Sequence, residues 1–454
     1  MTEYTPMMQH YLKTHEEYKD CILFYRLGDF YEMFFDDAKV VSKELELTLT
    51  GKSCGAEERA PMCGIPYHAA ETYLTRLVKK GYKVAICEQV EDPKLAKGMV
   101  KREVTRVVTP GTTLNAQALD ETKNNYIMCI AYIGDHYGIS SADITTGDYY
   151  VTEVDSERKL LDEVNKYQPT EIICNEAFYI SGIDIDDMKN RMGIVIYSLD
   201  AWYFSDETAQ MTLKDHFKVR DLEGLGLADY DSGVVAAGAL LKYLYETQKT
   251  TLSNLVAIHP YTTGKFMIID SSTRRNLELV ETLREKQKRG SLLWVLDKTR
   301  TAMGARTLRS FVEQPLIERM EIEERYDAID EFNTNAITRE EIREYLNPVY
   351  DLERLITRVT YQTANPRDLI AFRNSIHMLP PIKTLMSDFQ SPLLKRLYEQ
   401  MDTLDELYEL IERSIAEEPP LTLHDGGILK EGYNEEVDRL RKAKTDGKLS
   451  LIHI

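Results

Sequence analysis

The apolar periodicity of this chain changes near residue 274, and that change restricts the fold more than any other feature. Before it, short apolar runs bounded by glycine and proline alternate with stretches of helical spacing. After it, apolar residues recur mostly at helical spacing, as in Leu292, Leu293 and Leu296 and then Leu308, Phe311 and Val312, with Pro315, Pro348 and Pro366 as punctuation. Alternating strands and helices build mixed α/β layers, whereas helices alone pack on one another. The expected fold class is multidomain α/β plus α. At about 150 residues per domain, 454 residues make roughly three domains.

Local signals refine this. Thr5-Pro6 reads as an N-cap followed by proline at the first helical position, ahead of a helix carrying Met8, Tyr11 and Leu12. Residues 21–25 read as a buried strand ended by the turn signal Gly28-Asp29. A helix is expected over about 69–80, with Tyr73, Leu74, Leu77 and Val78 on one face and Gly81 as its C-terminal stop. Strands are expected at about 82–88 and 104–109, with Pro110-Gly111 closing the unit. A second unit starts near 124, with hairpin patterns at 126–152 broken by Gly134 and Gly147 and a helix over 231–248. The stretch 430–445 reads as a charged helix with few apolar residues, bridging domains or projecting into solvent.

No stretch approaches the ~20 apolar residues of a membrane span, and the N-terminus carries no basic-then-apolar signal segment. Six cysteines without a C-x-x-C pair point to reduced thiols in a cytoplasmic protein rather than a zinc site. The net charge of -19 by itself opposes binding to a polyanion. Read by segment, residues 51–114 hold eleven Lys and Arg against seven Asp and Glu, and residues 271–310 hold ten against four. Two basic islands therefore sit in an acidic chain.

The pentapeptide Gly28-Asp-Phe-Tyr-Glu32 follows the first strand. An aromatic just beyond a turn can wedge between base pairs from the minor groove and kink a duplex, at a cost that is least where pairing is already defective. A carboxylate two residues on adds an acceptor for a base edge and repels phosphate. Alone, such a pentapeptide is also ordinary core packing.

The surrounding sequence decides between these. F-Y-R-L-G-D-F-Y-E-M-F-F-D-D-A at 24–38 resembles the mismatch-binding signature of the MutS family. T-P-M-M-Q-H-Y-L at 5–12, A-P-M-C-G-I-P-Y-H-A at 60–69, Y-L-T-R-L-V-K-K-G-Y-K-V-A-I-C-E-Q at 73–89 and the run 92–112 are similar to that family in the same order. The stretches 142–149 and 236–249 resemble its connector domain, and 267–279, 290–309, 351–359 and 425–438 its helical core and lever. The resemblance implies a mixed α/β mismatch-binding domain at 1–114, an RNase-H-like α/β connector at 115–250 and an incomplete all-α core/lever at 251–447. Residues 448–454 depart from the family pattern and are expected to be a non-family tail.

By resemblance, Phe30 is the wedge stacked on the mispaired base and Glu32 its hydrogen-bonding partner. Pro61, Met62 and Gly64 are expected to line the minor-groove face. Lys79, Lys97, Lys101, Arg102 and Arg106, from the basic part of the first domain, are the candidates for phosphate contacts. Arg274, Arg275 and the basic run 284–289 are assigned to the helical core. The expected ligand is double-stranded DNA with mispairs or small loops. The expected partners are a second copy of the full-length protein and a downstream MutL-type repair protein, in a bacterial cytoplasmic, nucleoid-associated setting.

The phosphate-binding motif G-x-x-x-x-G-K-[ST] is absent from these 454 residues. No cofactor is expected in this fragment, ATP and Mg belonging to the full-length family, so no catalytic or metal-binding residue is assigned. The chain is expected to stop before the clamp and ATPase domains, leaving apolar faces within 274–447 partly uncovered, while 1–112 and 124–250 fold on their own. Two other readings are a MutS-like paralogue acting in recombination, against which the Phe30–Glu32 pair argues, and an RNase-H-like nuclease. The latter needs an acidic cluster larger than Asp143 and Asp148.

Overall fold

The computed structural model describes residues 4–55, 58–91, 98–115 and 118–453. They divide into two compact units, the first comprising residues 1–264 and 268–274 and the second 265–267 and 275–454.

The first unit holds two six-stranded sheets. The first sheet is built from β1 (Ile22–Leu27), β2 (Phe30–Phe34), β3 (Thr50–Lys52), β4 (Ala60–Pro66), β5 (Val84–Gln89) and β6 (Arg102–Val108), in the order β3-β4-β2-β1-β5-β6. Only β1 and β5 run parallel, the other neighbours being antiparallel. Three helices cover it: α1 (Pro6–Glu17), α2 (Phe35–Leu45) and α3 (Ala70–Lys79). As the sequence indicates, Thr5 caps α1 by accepting from the Met8 N–H, and Gly81, at φ 88°, follows α3.

The period of two sorts the strands into two cores. Ile22, Phe24, Tyr31, Met33, Cys63, Ile65 and Val84 pack with α2 and α3 on one face. Leu23, Tyr25, Phe34, Ala60, Ala85 and Cys87 pack with Met8 and Tyr11 of α1 on the other. On that second face Tyr11 donates to the Phe34 carbonyl and packs edge-on against its ring at 4.9 Å.

The second sheet comprises β7 (Ile127–Ile133), β8 (His136–Asp143), β9 (Asp148–Val154), β10 (Glu171–Cys174), β11 (Val195–Ser198) and the two-residue β12 (His259–Pro260). β7, β8 and β9 form an antiparallel meander, and β10 and β11 continue from β7 in parallel, as the RNase-H-like reading requires. Helices α4 (Glu157–Tyr167), α5 (Glu176–Tyr179) and α6 (Ile185–Met192) supply Leu160, Val164, Phe178 and Met188 to one core. On the other side α7 (Asp206–Phe217) and α8 (Ser232–Gln248) lie together, and α8 is buried over most of its circumference. A helix hydrophobic all round belongs inside.

The two sheets meet at one buried carboxylate. Glu171, fully buried at the start of β10, accepts from the Gly111 N–H and Tyr243 hydroxyl, each at 2.8 Å, and from the Thr109 hydroxyl just past β6. Nearby, Gln248 donates to the Val107 carbonyl at 3.2 Å and Tyr197 to the Gly81 carbonyl at 2.8 Å.

The second unit is helical, as expected. After α9 (Ser271–Asn276) at its border with the first unit come α10 (Leu292–Leu296), α11 (Ala302–Glu313), α12 (Arg319–Thr334), α13 (Ala336–Leu346), α14 (Leu352–Thr360) and α15 (Pro366–Ile376). They are followed by α16 (Leu379–Met386), α17 (Pro392–Gln400), α18 (Asp405–Ser414) and α19 (Glu435–His453). Ala328, Ile342, Ile382, Met386, Phe389 and Leu394 form its core. Arg306, with a 5% exposed side chain, makes a bidentate pair with Asp351 at 2.6 and 2.8 Å, tying α11 to the cap of α14. Trp294, Val295, Met320, Ile329 and Ile337 are exposed on this unit.

Candidate nucleic-acid interface

The hairpin β1–β2 sets the site. Gly28, at φ 58°, and Asp29 form a two-residue connection between Leu27 and Phe30, which face each other in register. Phe30 thus opens β2 rather than lying in a loop. Phe30, Glu32 and Phe34 share one face by alternation, and their partners on β4 are Pro66, Gly64 and Met62. Helix α1 packs over Phe34, but Phe30, farther along the same face, keeps 47% of its surface exposed. A large aromatic left open beside a well-packed core is the informative exception to burial.

Glu32 is largely buried, with 15% of its side chain exposed. Its Oε2 lies 2.5 Å from the ammonium of Lys52, the last residue of β3. Gly64 lies between them and Phe30. A Cβ there would sit 3.6 Å from Glu32 Cγ and 3.9 Å from a Phe30 ring carbon, so the floor between the two side chains is bare backbone. Thr50 donates to the Met62 carbonyl at 3.0 Å and holds the edge strand.

The structure therefore brings Phe30, Glu32, Gly64 and Met62 to one face. Pro61 falls on the opposite face of the sheet, because it alternates with Met62 along β4. Arg102 turns inward, unlike the exposed cations around it. Its side chain is buried, donates to the Arg26 and Val100 carbonyls at 2.7 Å each, and lies over the Tyr25 ring, so it buttresses the sheet from within. Lys79 is exposed on α3 and Lys101 is exposed beside Glu103 at 2.6 Å. That pair holds the Lys101 amine above its usual range and the Glu103 carboxyl below its own. Arg106 reaches Glu71 of α3 at 3.6 Å. Lys97 lies outside the described residues.

The sequence reading did not single out Lys52. Its position in the first basic island was the one available signal, since its partner is 20 residues away and meets it only across β4. Arg26 and Tyr67 were also missed. The Arg26 guanidinium stacks 3.8 Å above the Tyr67 ring, and Tyr67 donates its N–H to the Asp29 carbonyl, which braces the hairpin tip from the other side.

In the second sheet the acids Asp143 and Asp148 are committed to local structure. Asp143 is buried and accepts from Asn124, the Asn125 N–H and Thr145, while Asp148 accepts from Asn124 and Thr146. Among the described residues no group of three His, Cys, Asp or Glu side chains could hold a metal ion. The six cysteines are buried free thiols, and burial pushes Cys63 and Cys87 up to about 12. No helix of the described residues is long and apolar enough to cross a membrane.

Comparison with known proteins places these sheets and helices. Residues 5–117 match MutS domain I, 125–256 match MutS domain II and 272–448 match MutS domain III. The chain belongs to the MutS family. It is similar to the DNA mismatch repair protein MutS of Lachnoclostridium phytofermentans, at 67% identity over all of this chain and 49% of that protein. The proteins of the same name from Acetivibrio thermocellus and Ruminiclostridium cellulolyticum are 50% and 52% identical, over 100% and 98% of this chain and 52% and 51% of their own lengths. The chain thus spans about half the length of the curated MutS relatives it matches. In MutS terms, Phe30, Glu32 and Lys52 lie in the stretch matched by domain I, and Glu171 and Tyr243 in that matched by domain II.

Proposed function

We propose that this chain supplies the mismatch-reading part of a DNA mismatch repair protein. The observation that carries the reading is Phe30, exposed at the head of β2 beside the Glu32 carboxylate, on the face whose other end is packed under α1. A ring there can enter a duplex from the minor groove and stack on a base, and the step that yields most cheaply is one that is already mispaired. Glu32 accepts a hydrogen bond from the edge of the unstacked base. Its charge disfavours tight contact with intact duplex, so the site reads deformability more than base identity.

Lys79, Lys101 and Arg106 are the residues proposed to meet phosphate, which positions the duplex without reading it. The ligand is double-stranded DNA with mispairs or small loops. A second copy and a MutL-type repair protein are the proposed partners of the whole protein. ATP and Mg are proposed to act in the whole protein through residues other than these, since no phosphate-binding loop motif occurs here.

The test is binding of this chain, at one fixed salt concentration, to a short matched duplex and to the same duplex with one mispair. We expect tighter binding to the mispaired duplex. Phe30→Ala should lose about tenfold of that affinity, the scale of one base–aromatic stack, with little change for matched duplex. Equal affinity of the wild-type chain for both duplexes would overturn the reading.

A further inference from the structure

We propose that Lys52 is a positioning residue for mismatch reading, acting through Glu32. The inference rests on the role given to Phe30 and Glu32 above and adds what aims the carboxylate. The Lys52 ammonium lies 2.5 Å from Glu32 Oε2, while Oε1 accepts no hydrogen bond among the described residues. One oxygen is therefore committed and the other is open to a donor on a base edge. The side chain cannot turn freely, because only 15% of it is exposed and its Cγ stands over Gly64.

Lys52 itself is held. It ends β3, opposite Ala60 on β4, and its amine lies 5.8 Å from the centre of the Phe34 ring, on the face that α1 packs against. The ammonium thus reaches Glu32 from inside the sheet face. This geometry fixes which carboxylate oxygen is presented beside Phe30.

A plain phosphate contact by Lys52 would behave differently, since it would strengthen matched and mispaired binding alike. The two roles separate in a double-mutant cycle on this chain with Lys52→Met, Glu32→Gln and both, each titrated with matched and single-mispair duplex at several salt concentrations. We expect Lys52→Met to reduce the preference for mispaired over matched duplex roughly fivefold, the upper range for a partly exposed ion pair. With Glu32→Gln already in place, it should change that preference no further. Lys52→Arg, which keeps the charge and can reach the carboxylate, should restore most of the preference, and it serves as the control should Lys52→Met fold poorly.

The proposal is overturned if Lys52→Met weakens both duplexes equally, does so also in the Glu32→Gln background, and flattens the salt dependence. That pattern is a phosphate contact. A wild-type chain with no preference for the mispaired duplex removes the Phe30–Glu32 reading and this one with it, whereas a preference that persists without coupling between positions 32 and 52 removes this one alone.

Discussion

Phe30, Glu32 and Gly64 make a site whose parts differ in how they show themselves in sequence. Phe30 and Glu32 stood out because they sit inside long ordered stretches resembling one family, not because of their own chemistry. Arg102 is harder to read, since within a basic run it looks like any surface cation. Only the strand geometry of β6 shows that its guanidinium points inward to the Arg26 and Val100 carbonyls. Gly64 was named from resemblance, and the structure supplies a physical reason for it. A methyl at Gly64 would meet the Tyr31 carbonyl oxygen at 3.4 Å and Glu32 Cγ at 3.6 Å, ordinary contact distances. Gly64→Ala should therefore leave stability within about 1 kcal/mol, as read by urea unfolding. The same methyl raises the floor between Phe30 and Glu32, so the preference for mispaired duplex should drop. Unchanged discrimination in a folded Gly64→Ala chain would mean that the floor is not used.

Helices with strong end signals were readable, strands with mixed faces less so. Thr5-Pro6 and Gly81 bracket α1 and α3 because caps are local chemistry. β2 and β4 escaped because β4 carries Pro61, Gly64 and Pro66, residues that break a strand pattern, and because Phe30 was read as lying past the turn. Register now matters for β2. Tyr31 and Met33 are anchored in the core under α2 and α3, so a residue inserted between Phe30 and Tyr31 would turn the ring to the wrong face. For α8 the span was legible, but the closeness of its seat was not. A Cβ on Gly138 of β8 would lie 1.9 Å from the Ser232 carbonyl oxygen, and one on Gly238 would lie 2.3 Å from Ala209 Cα. Gly138→Ala has to displace backbone, and we expect a loss of about 3 kcal/mol in urea unfolding. A loss near zero would show that α8 is free to shift on the sheet.

At the scale of the molecule, the switch from alternating to purely helical periodicity near 274 matches the border between the two units. What the sequence did not disclose is the joint between the two sheets, because Thr109, Glu171 and Tyr243 are far apart in the chain and unremarkable singly. Burial pushes the Glu171 carboxyl above the usual carboxylate range, against the opposing pull of its donors. The folded chain therefore holds that proton more tightly than the unfolded chain. The stability tied to it is fully present below the unfolded value and is lost as pH rises through the raised one. Glu171→Gln keeps an acceptor and removes the titration. From the ordinary carboxylate value upward, the wild-type urea midpoint should fall more steeply with pH than that of Glu171→Gln, and parallel curves would exclude Glu171 as the source. The same residue has a mechanical consequence. Tilting the first sheet against the second would have to break the bonds from Thr109 and Gly111 together, inside the protein, while the Tyr243 hydroxyl keeps the carboxylate seated against α8.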